Sequence, residues 1–216
     1  MPALSSPLSA WFLLSRLAEM GILMPLALLV AWRLLRAPHS QLLALRWLLA
    51  LTGAAALTTA TKVAFMGWGV GSAALNFTGV SGHTMAATAV YPVLLMVLMP
   101  KAWPVGPALG LGCLLALLVG VSRVELGAHS WSEVVSGWAL GAAVVWAALR
   151  TPLTPQRPRF GALWWLAGAA WLLAGVLEAP VTPTHSWVTR LALALSGQNA
   201  PYTRHHLLNG HARQPV

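Results

Sequence analysis

Long apolar runs recur from one end of the chain to the other, separated by short connections that carry most of the charged residues. A helix that crosses a bilayer needs about 20 mainly apolar residues. The runs predict about six helical spans, near 10–32, 42–65, 84–99, 104–121, 133–149 and 161–178. The expected fold is therefore all-α, a polytopic membrane protein with its helices in a bundle across residues 1–178. Residues 179–216 form a more polar tail. Within it, 185–197 suits a short amphipathic helix at the membrane interface, and 198–216 has the composition of a disordered segment. In the first span, Arg16 and Glu19 stand three residues apart and can meet on one helix face.

The connections set an orientation. Arg33, Arg36 and Arg46 lie in 33–46, Lys101 in 99–104, and Arg150, Arg157 and Arg159 in 150–160. All three connections fall on one side, which the positive-inside rule makes cytoplasmic. The alternate connections, 66–83 and 122–132, then face outward, as do both termini. A bacterial inner (cytoplasmic) membrane is the expected location, with an outward site facing the periplasm or exterior.

Composition sharpens this picture. The chain is 58% hydrophobic and only 8% charged, whereas roughly a quarter of a soluble domain is charged. The net charge of +9 does not point to nucleic acid, because the basic residues sit between spans rather than along one polar face. Trp11, Trp32, Trp47, Trp103, Trp131 and Trp146 lie near predicted span ends, as in an interfacial aromatic belt. Cys113 is the only cysteine, which excludes an intrachain disulfide and a thiolate metal cluster. Asp is absent and the acids are Glu19, Glu125, Glu133 and Glu178, a poor supply for hard cations such as magnesium. No metal or other cofactor is expected. His205, His206 and His211 of the tail read as solvated, since histidines without acids make a poor site. The amino terminus lacks the basic region of a secretory signal, so the first run is kept as a span.

Two polar clusters interrupt this apolar background, and both fall in the outward connections. One reads Val80-Ser81-Gly82-His83-Thr84; the other runs from Ser122-Arg123 through His129 to Glu133. Ionisable groups at a membrane are costly and usually face a cavity where they do chemistry. These residue types suit a phosphate. Arg123 offers a fork for two oxygens, Ser81 and Ser122 offer hydroxyls, and Gly82 lets the backbone approach closely. Lys62, near the outer end of the second span, adds a positive charge. A neutral imidazole can attack phosphorus if a carboxylate holds its other nitrogen. Glu133 lies one turn after His129 and can do so, while His83 is available to protonate the leaving oxygen. Each residue also has a purely structural reading. Ser130 and Glu133 fit a capping box, Ser81 and Thr84 suit N-caps of the third span, and Lys62 can snorkel to the interface.

Together the clusters resemble the type 2 phosphatidic acid phosphatase superfamily of integral membrane lipid phosphatases. Its three motifs are Lys-x6-Arg-Pro, Pro-Ser-Gly-His and Ser-Arg-x5-His-x3-Asp. The third is matched by Ser122, Arg123, His129 and Glu133, with Glu in place of Asp. The second is matched by Ser81, Gly82 and His83, with Val80 in place of Pro. The first is matched at Lys62 alone, since Gly69 and Val70 stand at the Arg-Pro positions. The resemblance covers about residues 60–150. It implies a metal-independent phosphatase in which His129 is the nucleophile, Glu133 its orienting partner and His83 the general acid. Lys62, Ser81, Gly82, Ser122 and Arg123 would bind phosphate. An arginine from the outer tail, Arg190 or Arg204, is the expected candidate to replace the missing one. The substrate expected is a lipid phosphate or pyrophosphate of the outer leaflet, with undecaprenyl pyrophosphate the first candidate. Phosphotransfer to a lipid, or lipid binding and transport on the same scaffold, are the alternatives.

Overall fold

The computed structural model describes residues 7–99, 103–150 and 183–210, together with 168, 170 and 171. Its described residues form eight helices: α1 (Pro7–Arg16), α2 (Met20–Arg36), α3 (Gln41–Trp68), α4 (Gly82–Leu98), α5 (Val105–Glu125), α6 (Trp131–Leu149), α7 (Thr184–Ser196) and α8 (Arg204–Asn209). The fold is all-α. Among these helices α3, α5 and α6 are long and apolar enough to cross a membrane, and α1 with α2 makes a fourth if the bent pair is one span. This is an integral membrane protein. The expected span 161–178 lies outside the described residues apart from 168, 170 and 171, so the count of six is not reached by the helices described.

Helix α4 is the axis of the bundle. Its 17 residues are fewer than those of α3, α5 or α6, but nearly all of them are buried, from Thr84 through Leu94 and again at Met96 and Val97. Helices α2, α3, α5 and α6 pack around it. Helix α6 approaches most closely through Gly137 and Gly141, spaced as a small-x3-small stripe. A Cβ at Gly137 would lie 2.9 Å from the Ser81 carbonyl oxygen, and one at Gly141 would lie 2.5 Å from Thr88 Cβ. These two glycines let α6 set its first turn against the start of α4. The outer surface exposes Leu28, Leu49, Leu57, Leu114, Leu117 and Trp146, an apolar belt that acyl chains would cover.

Two expectations for the first helices fail. The first run is two helices bent by 43°, so Arg16 and Glu19 do not share one helix face. Nothing local explains the break, which contains Leu17 and Ala18 and no Pro or Gly. Tertiary partners hold it instead: Tyr91 on α4 donates its hydroxyl proton to the Leu17 carbonyl at 2.7 Å. A freed carbonyl at membrane depth must find such a donor. The second concerns Trp47, expected at the interface. It is fully buried, because its indole N–H donates to the Ala89 carbonyl of α4 at 2.9 Å.

The tail also differs from expectation. Helix α7 matches the short helix foreseen at 185–197, and it packs on α3, with Ser196 against Gly67. Beyond it, 198–210 is folded rather than disordered. The Tyr202 amide donates to the Met66 carbonyl at 2.8 Å, and Thr203 caps α8. Residues 211–216 lie outside the described part.

Candidate active site

Helix ends build the site. Lys62 lies in the last turns of α3, Gly82 and His83 open α4, Arg123 lies in the last turn of α5, His129 stands two residues before α6, and Glu133 lies in the first turn of α6. The connections 66–83 and 122–132 therefore meet at one end of the bundle, tied by the Ser132 hydroxyl on the Leu75 carbonyl at 2.7 Å. The cationic ends Arg33, Arg36 and Arg150 belong to the opposite ends of α2 and α6.

Glu133 is the hub. It is fully buried and accepts from every side. Its Oε2 takes His129 Nδ1 at 2.7 Å and the Ser130 amide at 3.2 Å. Its Oε1 takes the Thr78 amide at 2.8 Å and the Thr78 hydroxyl at 2.5 Å. Capping and orienting, weighed above as competing roles, are both performed by the one carboxylate, since the capping box with Ser130 is complete. Holding Nδ1 as N–H leaves His129 Nε2 with a free lone pair. His129 itself sits on the turn after α5, where its amide and that of Ala128 both donate to the Arg123 carbonyl at 3.1 and 3.0 Å. Burial lowers its pKa below the ordinary histidine value, against the opposing pull of Glu133, so the imidazole is neutral at neutral pH.

His83 has a carboxylate of its own. Its Nε2 lies 3.5 Å from Glu19 Oε1, at the break between α1 and α2. The last turn of α1, just before the break, contributes Ser15, whose hydroxyl accepts from Arg123 Nη1 at 2.5 Å. His83 and His129 each lie within electrostatic reach of both Lys62 and Arg123. A Cβ at Gly82 would stand 3.9 Å from Lys62 Nζ and 3.6 Å from Thr58 Cγ2, so the opening of α4 faces this stretch of α3. Thr58 Oγ1, His83 Nε2 and Arg123 Nε are buried without a hydrogen-bond partner among the described residues. Thr58 Oγ1 and Arg123 Nε are donors left open and suit a ligand rich in acceptors, while His83 Nε2 has only the 3.5 Å approach of Glu19. No three His, Cys or carboxylate side chains among the described residues are grouped as metal ligands.

Two of the expected phosphate-binding residues lie enclosed. Ser81 and Ser122 are fully buried and their hydroxyls are turned inward. Ser81 Oγ pairs with Thr84 Oγ1 at 2.9 Å, and Ser122 Oγ donates to the Val119 carbonyl at 2.6 Å. Ser81 occupies the N-cap position of α4 without a side-chain cap bond. Of the two tail arginines, Arg190 is exposed on α7, while Arg204 reaches the site. It meets Glu133 there: Nη2 lies 2.8 Å from Oε1 and 2.7 Å from Oε2. Sequence reasoning passed over Thr78, Thr58 and Glu19 as site residues. Glu19 alone carried a usable signal, as a buried-run acid in a chain with few acids.

A helical membrane bundle with a carboxylate-held histidine beside two cations defines a class of phosphate-handling membrane enzymes. The chain belongs to the PAP2 superfamily, whose profile matches residues 67–157. Membership indicates phosphatase activity. The match takes in both histidine clusters and begins after Lys62. A relative from Klebsiella pneumoniae, described as an uncharacterized 22.5 kDa protein in the cps region, is 33% identical over 200 residues, covering 90% of this chain and 95% of the relative. No solved structure matches the chain.

Proposed function

We propose that the protein is a metal-independent lipid phosphate or pyrophosphate phosphatase that works through a phosphohistidine on His129. The observation that carries this reading is the 2.7 Å contact between His129 Nδ1 and the buried Glu133 carboxylate, set within reach of Lys62 and Arg123. Lys62, Arg123 and the backbone at Gly82 bind the phosphate, with Ser81 and Ser122 bracing the helix ends that present them. The Thr58 hydroxyl adds a donor. His129 Nε2 forms the nitrogen–phosphorus bond as the bond to the leaving oxygen breaks, and His83 delivers a proton to that oxygen. The imidazolium that develops on His129 is stabilised by Glu133, as that on His83 is by Glu19. Neutral His83 then takes a proton from water as the water attacks phosphorus. The nitrogen–phosphorus bond breaks and inorganic phosphate leaves.

The apolar body suits a substrate whose tail stays in the bilayer while its headgroup enters from the outer leaflet. Undecaprenyl pyrophosphate is the first candidate, and the outward end would face the periplasm of a bacterial inner membrane. The test is phosphate release by purified, chelator-treated protein from undecaprenyl pyrophosphate and from phosphatidic acid, beside His129→Ala. Release that survives chelation, depends on His129 and passes through an acid-labile phosphoenzyme is expected. Metal-dependent release, or release retained by His129→Ala, would refute the mechanism. Label passing to a lipid acceptor instead of water would make the enzyme a phosphotransferase.

A further inference from the structure

Arg204 stands 71 residues after the carboxylate it contacts. Its Nη2 bridges both oxygens of Glu133 at 2.7 and 2.8 Å. Nη1 turns the other way, to Asn76 Oδ1 at 2.9 Å and the Asn76 carbonyl at 3.4 Å, and Nη2 also lies 3.4 Å from the Thr78 hydroxyl. One planar guanidinium thus joins the 69–81 connection, the first turn of α6 and the tail. With Nη1 held by Asn76, the planar guanidinium sets Nη2 between the two carboxylate oxygens in an orientation that a point charge does not impose. Glu133 in turn holds the Nδ1 of His129, and so decides which ring nitrogen is bare.

We propose that Arg204 is a positioning residue of the active site, fixing Glu133 and through it the tautomer and orientation of His129. Residues 198–210 are then a working part of the site. This inference rests on His129 being the nucleophile proposed above.

The tail is docked by contacts other than Arg204, which makes the inference testable. Tyr202 bonds Met66 through its amide, and its ring lies over Gly69. A Cβ there would come 3.0 Å from Tyr202 Cε1, and Gly69 has φ +73°, a conformation that side chains other than glycine rarely adopt. A long side chain cannot occupy position 69 while Tyr202 is docked. The strap that closes over Gly69 brings its own arginine two residues later. Helix α7 anchors the strap on α3, so loss of the Arg204 side chain should leave the tail in place.

The experiment compares full-length wild type, Arg204→Ala and Arg204→Lys in detergent micelles. Phosphate release is measured from dioctanoyl phosphatidic acid and from farnesyl pyrophosphate. The His129 imidazole is titrated by NMR in histidine-labelled protein, with His129→Ala for assignment. Arg204→Ala is expected to lose about 10²-fold in kcat, the scale of a small misplacement of a reacting group, with KM little changed. Lysine, or added guanidinium but not urea, should restore part of it. The groups facing His129 are Glu133, Lys62 and Arg123. Removing the cation on the far side of Glu133 leaves more of that negative charge to act on His129, so its titration midpoint should rise. Unchanged kcat and an unmoved midpoint would overturn the inference. So would a loss seen in KM alone, or a kcat loss with an unmoved midpoint that neither lysine nor guanidinium repairs. Wild type that releases no phosphate from either substrate would defeat the phosphatase reading, and the titration, which needs no turnover, would still decide the role of Arg204.

Discussion

Replacing Glu133 by Gln tests the core of the mechanism, because it keeps the shape and removes the charge. The carboxylate accepts on Oε1 from Thr78 and Arg204, and on Oε2 from His129, Ser130 and Arg204. An amide has one acceptor oxygen and one donor nitrogen, so it cannot serve both sets. If the oxygen faces Arg204 and Thr78, the amide N–H points at His129 Nδ1 and forces the proton to Nε2, which removes the nucleophile. Setting a catalytic histidine in the wrong tautomer costs about 10⁴-fold in kcat, or about 5 kcal/mol of barrier. The cost to the fold is smaller. Breaking a buried ion pair costs about 3–5 kcal/mol, but the Arg204 side chain is 33% exposed, which discounts the loss to about 1–2 kcal/mol. Single-turnover phosphate release, measured beside thermal unfolding in the same detergent, separates the two. A folded Glu133→Gln protein that keeps kcat within about tenfold of wild type would refute the tautomer argument.

Three further outcomes follow from the geometry. Burial lowers the His129 pKa, so the neutral nucleophile should persist as pH falls below the ordinary histidine value of about 6.5, and the acid limb of kcat/KM should lie below it. The same shift weakens the fold in acid: below 6.5 the unfolded chain binds this proton and the folded one does not, so stability falls until the folded pKa is passed. An acid limb above 6.5 would contradict this. Glu19→Gln should slow release from phosphatidic acid more than from p-nitrophenyl phosphate, because only the poor leaving group needs a proton from His83; equal losses on both would remove Glu19 from the acid's support. Gly141→Leu should lower thermal stability by about 1–3 kcal/mol, since a Cβ at that position already meets Thr88 Cβ at 2.5 Å; an unchanged unfolding temperature would mean that α4 and α6 do not pack as described.

What could be read from the sequence was local. Helices α3, α5 and α6 follow from the length of their apolar runs, and the start of α6 from the capping box of Ser130 and Glu133. The His129–Glu133 pair was legible because one helical turn separates the two residues. What stayed hidden depends on contacts between distant segments. The capping and orienting roles of Glu133 looked exclusive on paper, yet the two oxygens share the partners between them. Ser81 and Ser122 carry the right atom type, but their rotamers are settled by Thr84 and the Val119 carbonyl. Trp47 has an interfacial composition signal, and a single acceptor on α4 draws it inside.

The break between α1 and α2 shows why these failures fall at the site. An unbroken helix would have been the local optimum for so apolar a run, and propensity alone is a weak prior against tertiary contacts. Breaking it exposes backbone groups where water is scarce, a cost that Tyr91 offsets at the Leu17 carbonyl. In return, Ser15 reaches Arg123 and Glu19 reaches His83. Of the chain's four acids, two thus face one histidine each, Glu19 from this break and Glu133 from the start of α6. The chain departs from its local preferences where doing so gives each of the two site imidazoles a carboxylate. That convergence is the strongest structural argument that both histidines handle protons or phosphorus rather than merely fill space.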